Sequence, residues 1–285
     1  MKYEKRRQNE MVKENIIRLL EDVRKNVPLV HNITNYVTVN DCANAVLAIG
    51  ASPIMADDIL EAADITAISQ SLVINIGTLN QRTVESMLAA GRKANELGIP
   101  VVFDPVGAGA SSFRNDTVKQ ILSNVKIAIL RGNLSEMSYI AGLQVNTRGV
   151  DSAEEDKKND AVSVARKVAE IYGCVAAITG AVDVVSDGTR VTKISNGHKM
   201  LSRVTGTGCM TTALVGSYAG AAKINESSDY YTAAIGGIMT MGIAGEMAYE
   251  TAGHMGTGSF HINIIDAISI LSNEIIEERA GLNEE

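Results

Sequence analysis

The 285-residue chain carries a formal net charge of −7 with 46% hydrophobic and 21% charged residues, a balance that excludes a disordered or collagen-like protein. No stretch concentrates Lys and Arg, which argues against nucleic-acid binding, and no apolar run reaches the length of a membrane span. Three scattered cysteines without CxxC spacing exclude a disulfide scaffold, and the charged segment before Asn15 has no signal-peptide core, so the chain reads as cytoplasmic. Its length suits one α/β domain spanning 1–285. An aromatic content of 4%, with no Trp and 25 Gly, predicts a core of aliphatic side chains with helices packed closely on a sheet.

Val12, Ile16, Leu19, Leu20 and Val23 recur at helical spacing and lead through Pro28 into a short strand at Leu29–Val30. A helix over Val37–Ile49 stops at Gly50 and is followed by a strand over Ser52–Ala56. The alternation continues with a strand at Ser71–Ile76, a helix at Val84–Leu97, a strand at Val101–Phe103, a helix around Asn115–Leu122, a strand at Ile127–Leu130 and a helix from Leu134. Beyond a polar stretch from Thr147 to Asp160, read as a solvated loop, come a helix over Ala161–Tyr172 closed by Gly173 and a strand at Val175–Ile178. Asp187-Gly188 between Val182–Ser186 and Arg190–Ile194 signals a hairpin. The remainder reads as helices over Thr207–Ala222, Asp229–Thr251 and Ile262–Arg279. The pattern predicts an α/β fold with a mainly parallel sheet covered on both faces.

Three strand ends draw attention. Val204–Met210, V-T-G-T-G-C-M, opens an apolar helix, where converging backbone N–H groups and the helix dipole form an anion site. Such a glycine-rich turn can equally just start a helix. V-V-F-D-P-V-G-A-G places Asp104 at the end of a buried strand, where open α/β sheets hold ligands and a carboxylate suits Mg²⁺; the plainer reading makes Asp104 a turn cap before Pro105. I-L-R-G-N-L-S-E-M offers Glu136 as a second carboxylate and Arg131 as a phosphate ligand, although Asn133 and Glu136 also fit a helix-capping pair. No G-x-x-x-x-G-K-[ST] occurs, so phosphate handling would proceed without a P-loop.

Together with P-L-V-H-N-I-T-N, G-A-S-P-I-M-A and the closing G-S-F-H-I-N-I-I-D-A, these motifs resemble, in order and over nearly the whole chain, the hydroxyethylthiazole kinases of the ribokinase-like superfamily. The resemblance implies a three-layer α/β/α fold without a separate lid domain. It implies transfer of the ATP γ-phosphoryl group to 4-methyl-5-(2-hydroxyethyl)thiazole in thiamine biosynthesis, with Mg²⁺, by a homotrimer with active sites at subunit interfaces. It assigns Gly206, Thr207 and Gly208 to the anion hole, Cys209 beside them, Asp104 and Glu136 to the metal, Arg131, Thr179 and Asn133 to ATP, and Met55, Asn35, Gly206, Gly77 and Thr78 to the thiazole. Most ribokinase-like enzymes carry Asp where this chain has Cys209, which separates it from hydroxymethylpyrimidine kinases and from the dehydratases that repair hydrated nicotinamide cofactors. A noncatalytic thiamine-precursor binding protein would be expected to lose the carboxylates Asp104 and Glu136. His31, His254 and His261 read as structural, and Cys42 and Cys174 as core.

Overall fold

The computed structural model describes residues 2–143 and 160–284. Its elements run α1 (Lys2–Asn26), β1 (Leu29–Ile33), α2 (Val39–Ile49), β2 (Ser52–Ile54), α3 (Ala62–Ile68), β3 (Ser71–Asn75), α4 (Gln81–Glu96), β4 (Val101–Asp104), α5 (Ser112–Asn124), β5 (Ile129–Asn133), α6 (Leu134–Ile140), α7 (Ala161–Tyr172), β6 (Val175–Thr179), β7 (Asp183–Ser186) and β8 (Val191–Ile194). They end with α8 (Thr207–Ile224), α9 (Tyr230–Ala252), α10 (Thr257–Ile270), α11 (Asn273–Arg279) and β9 (Leu282–Glu284). The strands form one sheet in the order β2-β1-β3-β4-β5-β6-β7-β8-β9, parallel from β2 through β6 and antiparallel beyond.

The two-residue period of the strands divides the core. Val30, Val73, Val102, Ile129 and Ala177 face α1, α2, α8 and α9 on one side, while Leu72, Ile74, Phe103, Leu130 and Ile178 face α4 to α7 on the other. The parallel strands are therefore apolar on both faces, as an α/β/α sandwich requires. The low aromatic content has its counterpart where α9 crosses α8: a Cβ at Gly237 would lie 2.6 Å from the Val215 backbone nitrogen, so only glycine permits the approach.

The predicted order of elements holds, with local differences. Ile262–Arg279 is two helices, not one, because Leu271 leaves helical geometry and the Ser272 hydroxyl caps the N–H of Ile275 at 3.3 Å to start α11 afresh. Helix α3, strand β9 and a short 3₁₀ turn at Lys199–Arg203 are additional. The polar stretch from Thr147 lies outside the described residues until Asp160, whose carboxylate caps α7 through the Ser163 N–H at 3.0 Å. Among the described residues no helix is long and apolar enough to cross a membrane. The Gly/Ala-rich α9 is instead buried between α8 and α10.

Candidate active site

The same alternation that builds the core sets the site. Two residues beyond Val73, Val102, Ile129 and Ala177, the strands turn polar on the α8 face with Asn75, Asp104 and Thr179 at C-terminal strand ends and Arg131 midway along β5. Register places Asn75 beside Asp104 on neighbouring strands. Oδ2 of Asp104 accepts from the Thr212 hydroxyl of α8 at 2.7 Å and from Asn75 Nδ2 at 2.9 Å, with Arg131 Nη1 at 3.5 Å. Asp104 Oδ1 is buried and has no hydrogen-bond partner. Asp104 is thus not a turn cap: the turn after it is closed by the Ala108 N–H donating to Pro105 O at 2.9 Å.

Glu136 is a second buried carboxylate. It completes a capping box at the start of α6: the Asn133 N–H donates to Glu136 Oε2 at 2.7 Å, and the Glu136 N–H to Asn133 Oδ1 at 2.9 Å. Its Oε1 accepts the Gly107 N–H at 2.8 Å, which draws the β4 loop onto α6. The capping account of Asn133 and Glu136 therefore holds in full. Burial, then the Asp104 charge, pushes the Glu136 carboxyl up to about 7. Burial also raises Asp104, opposed by the Arg131 charge and the bonds from Thr212 and Asn75. A pair of desolvated carboxylates with an unpartnered oxygen is a donor set suited to a hard divalent cation.

Helix α8 begins on the same side. Gly206, its N-cap, has φ 88°, a left-handed conformation, and a Cβ there would sit 2.6 Å from Thr38 Cγ2. Gly208 lets the first turn approach Arg131, whose Nη1 would lie 3.0 Å from an added Cβ. Arg131 is fixed from the other direction by its bond to Thr179 Oγ1 at 2.7 Å, and its Nε is buried without a partner. The Thr207 hydroxyl donates to Leu201 O at 3.2 Å, which leaves its backbone N–H at the helix start. A cleft of about 610 Å³ opens here, lined among others by Arg131, Thr179, Asp183, His198, Thr207 and Gly208.

Cys209 Sγ accepts from Asn35 Nδ2 at 3.1 Å and Asn75 Nδ2 at 3.3 Å, and Asn35 Nδ2 also donates to Asn75 Oδ1 at 3.0 Å. Burial and then the nearby Asp104 charge raise the Cys209 pKa above the ordinary thiol value, so it stays a thiol at neutral pH despite the helix N-terminus. Gly77 packs against Asn35, and Thr78 Oγ1 accepts the Tyr36 N–H at 3.2 Å. Met55 follows the edge strand β2, half-buried against the core on the α8 face.

The predicted residues thus fall into two adjoining groups: Asp104, Glu136, Arg131, Thr179, Asn133, Thr207 and Gly208 around the carboxylates and the cleft, and Cys209, Asn35, Gly77, Thr78 and Gly206 around the thiol. Met55 makes no hydrogen bond to either. The residues sequence reasoning missed are the connectors. Asn75 joins the groups and Thr212 holds Asp104; the signal for Asn75 was its position two residues beyond Val73. Asp183, in the cleft, accepts the Gly180 N–H at 2.8 Å. His31 is structural as expected, buried between Thr66 Oγ1 at 2.8 Å and Ala56 O at 2.7 Å. Cys42 and Cys174 are core, and His261 lies beside Asp41 of α2, Nε2 to Oδ1 at 3.2 Å.

Asp183 supplies a pH test. Burial raises its carboxyl from 3.8 to about 6, so the folded protein binds that proton more tightly than the unfolded chain. Its favourable contribution is present below pH 3.8 and is lost as pH rises through about 6. Asp183→Asn should raise stability at pH 8 by roughly 2–3 kcal/mol and leave it unchanged near pH 4. Urea midpoints at the two pH values check this.

A second cavity of about 610 Å³ opens at the opposite ends of β4, β5 and β6. Its Arg190 is already paired with Asp187 and lies over the Tyr231 ring, and none of its lining side chains has an unpartnered buried polar atom.

Comparison with known proteins shows the family and the fold. The family model described as the hydroxyethylthiazole kinase family matches residues 20–274. A hydroxyethylthiazole kinase of Ruminiclostridium cellulolyticum is 65% identical over 270 residues, covering 94% of this chain and 97% of the relative. One from Clostridium beijerinckii is 62% identical over 269 residues, covering 93% and 96%. The solved structure of a hydroxyethylthiazole kinase from Pyrococcus horikoshii is similar with a TM-score of 0.85 and 40% identity, covering 95% of this chain and 99% of its own. At 13% identity and a TM-score of 0.56, an ADP complex of Staphylococcus aureus pyridoxal kinase shares the fold, covering 78% of this chain and 89% of its own.

Proposed function

We propose a division of labour among the residues of a chain that belongs to the hydroxyethylthiazole kinase family and phosphorylates the hydroxyl of hydroxyethylthiazole in thiamine salvage. ATP occupies the cleft beside α8, with Arg131 and Thr179 orienting its phosphates and Asn133 holding Glu136 in place. The backbone N–H groups of Gly206, Thr207 and Gly208, with the α8 dipole, receive the charge that develops on the transferred phosphoryl oxygens. Asn35, Gly77, Thr78, Gly206 and Met55 take the thiazole and aim its hydroxyl past Cys209.

Asp104 and Glu136 would hold Mg²⁺. The observation that supports this is the partnerless Asp104 Oδ1 beside a second carboxylate whose proton affinity burial has raised. The ion supplies neutralisation of phosphate charge. Cys209 stands near the acceptor as a neutral thiol. Phosphoryl transfer through a loose transition state depends on alignment and charge neutralisation more than on early deprotonation, so a weak base suffices. Cys209→Ala should therefore lower kcat by less than about tenfold, since a typical general base contributes on the order of 10²-fold or more. A kcat–pH profile with no thiol titration would accompany it.

The reading is tested by ADP release from ATP and Mg²⁺ with hydroxyethylthiazole, hydroxymethylpyrimidine or no acceptor. Release stimulated by the thiazole alone is expected; release with the pyrimidine alone would move the substrate. We read 1–285 as one catalytic domain acting in the cytoplasm. A homotrimer with sites at its interfaces is supported by apolar side chains left in solvent on the segments after β1 and β2, among them Tyr36 at 78% and Leu60 at 88% exposure. A sedimentation mass of three chains is expected, and a mass of one chain would remove that part.

A further inference from the structure

We infer that Arg114 is a positioning residue that locks the acceptor side of the site to the carboxylate side. The inference rests on the kinase reading above. Arg114 stands in the first turn of α5, outside every motif that pointed to the site. Its Nη1 donates to Ile76 O at 2.6 Å and Val106 O at 2.5 Å, and its Nη2 to Gly77 O at 2.8 Å. No ion pair engages it among the described residues, so the guanidinium is spent on three carbonyls of two separate loops, one after β3 and one after β4. Charge-assisted bonds in a planar fork fix both distance and angle.

Those loops carry the two halves of the site. Gly77 packs on the Asn35 amide that donates to Cys209, and its N–H donates to Asn75 Oδ1 at 2.9 Å. Residue 107, next to Val106, donates its N–H to Glu136 Oε1 at 2.8 Å and packs against the Arg114 side chain. The neighbouring Asn115 completes the hold by accepting the Gly109 N–H at 2.7 Å. Arg114 is thus one bond from the backbone that sets the acceptor pocket and two from the Glu136 carboxylate, while it touches neither Arg131 nor Thr179. Loss of the clasp lets the acceptor loop drift relative to the carboxylates, while Arg131 and Thr179 keep their own bond.

The experiment compares wild type, Arg114→Met and Arg114→Lys. Arg114→Met should weaken thiazole binding by about tenfold in calorimetry without nucleotide or metal, and should lower kcat on the order of 100-fold, the cost of ångström-scale misplacement. The KM for ATP should move by less than about threefold, and added methylguanidinium should restore part of kcat in the methionine variant, on the same positional argument. Arg114→Lys keeps the charge but not the fork; it should bind thiazole more weakly than wild type and supplies the same readouts if the methionine variant does not fold. An Arg114→Met protein that melts lower yet binds and turns over within twofold of wild type would overturn the inference, as would a parallel rise in the KM for ATP. A wild type without thiazole-dependent ADP release would overturn the kinase reading itself, a result separable from either of these.

Discussion

Replacing Asp104 with Asn should lower kcat by on the order of 10³-fold, because charge stabilisation by a bound cation supplies several kcal/mol to phosphoryl transfer. The fold should survive with an equal or higher melting temperature. Asp104 is 1% exposed, its Oδ1 has no partner, and burial disfavours its charged form. An amide removes that desolvation cost, keeps an oxygen for the Thr212 hydroxyl and Asn75, and turns an NH₂ toward the place where the cation would lie. Circular dichroism, calorimetric melting and ADP release together decide the matter. Unchanged turnover in a folded Asp104→Asn protein, confirmed with Glu136→Gln, would sink the metal assignment.

Arg131→Met should be at least as damaging, with an opposite stability signature. An arginine that stabilises phosphoryl charge is worth on the order of 10³-fold or more, and the loss should appear in kcat/KM for ATP while thiazole binding is retained. Arg131 is also the partly buried cation beside Asp104, Nη1 to Oδ2 at 3.5 Å, and removing it leaves that buried carboxylate uncompensated. The variant should therefore lose roughly 3 kcal/mol or more of stability, whereas Asp104→Asn loses none. Combining the two should recover most of that loss, since one variant removes the charge the other strands. Additive destabilisation in the double variant would show that the pair is not coupled.

The sequence carried the order of the elements, the strand ends and most of the polar residues at them, because these depend on local periodicity and on turn chemistry. The capping box at Asn133 was legible from spacing alone. What stayed hidden was how the ends meet. Nothing in N-I-G-T-L says that Asn75 lies between Asp104 and Cys209; that follows from the register of β3 against β4 and from the placement of α8, both set by tertiary packing. Arg114 sits in an ordinary amphipathic helix and its partners are backbone carbonyls, which leave no trace in side-chain patterns. Ile262–Arg279 kept its apolar spacing through Leu271, so the break made by the Ser272 cap was masked by a continuous hydrophobic rhythm.

Helix α8 joins the site to the centre of the molecule. Its first turn carries the amides assigned to phosphoryl charge, and every residue from Met210 to Ala222 is buried against the sheet and α9. The turn assigned to phosphoryl charge is therefore the tip of a core element, unlike the hinged lids that loosen and lose activity well below the melting point of many enzymes. Heat inactivation and global unfolding should coincide in this protein. Loss of activity on warming then reports the melting of the whole fold, and substitutions that stiffen the α8–α9 contact should move the upper working temperature and the melting temperature together.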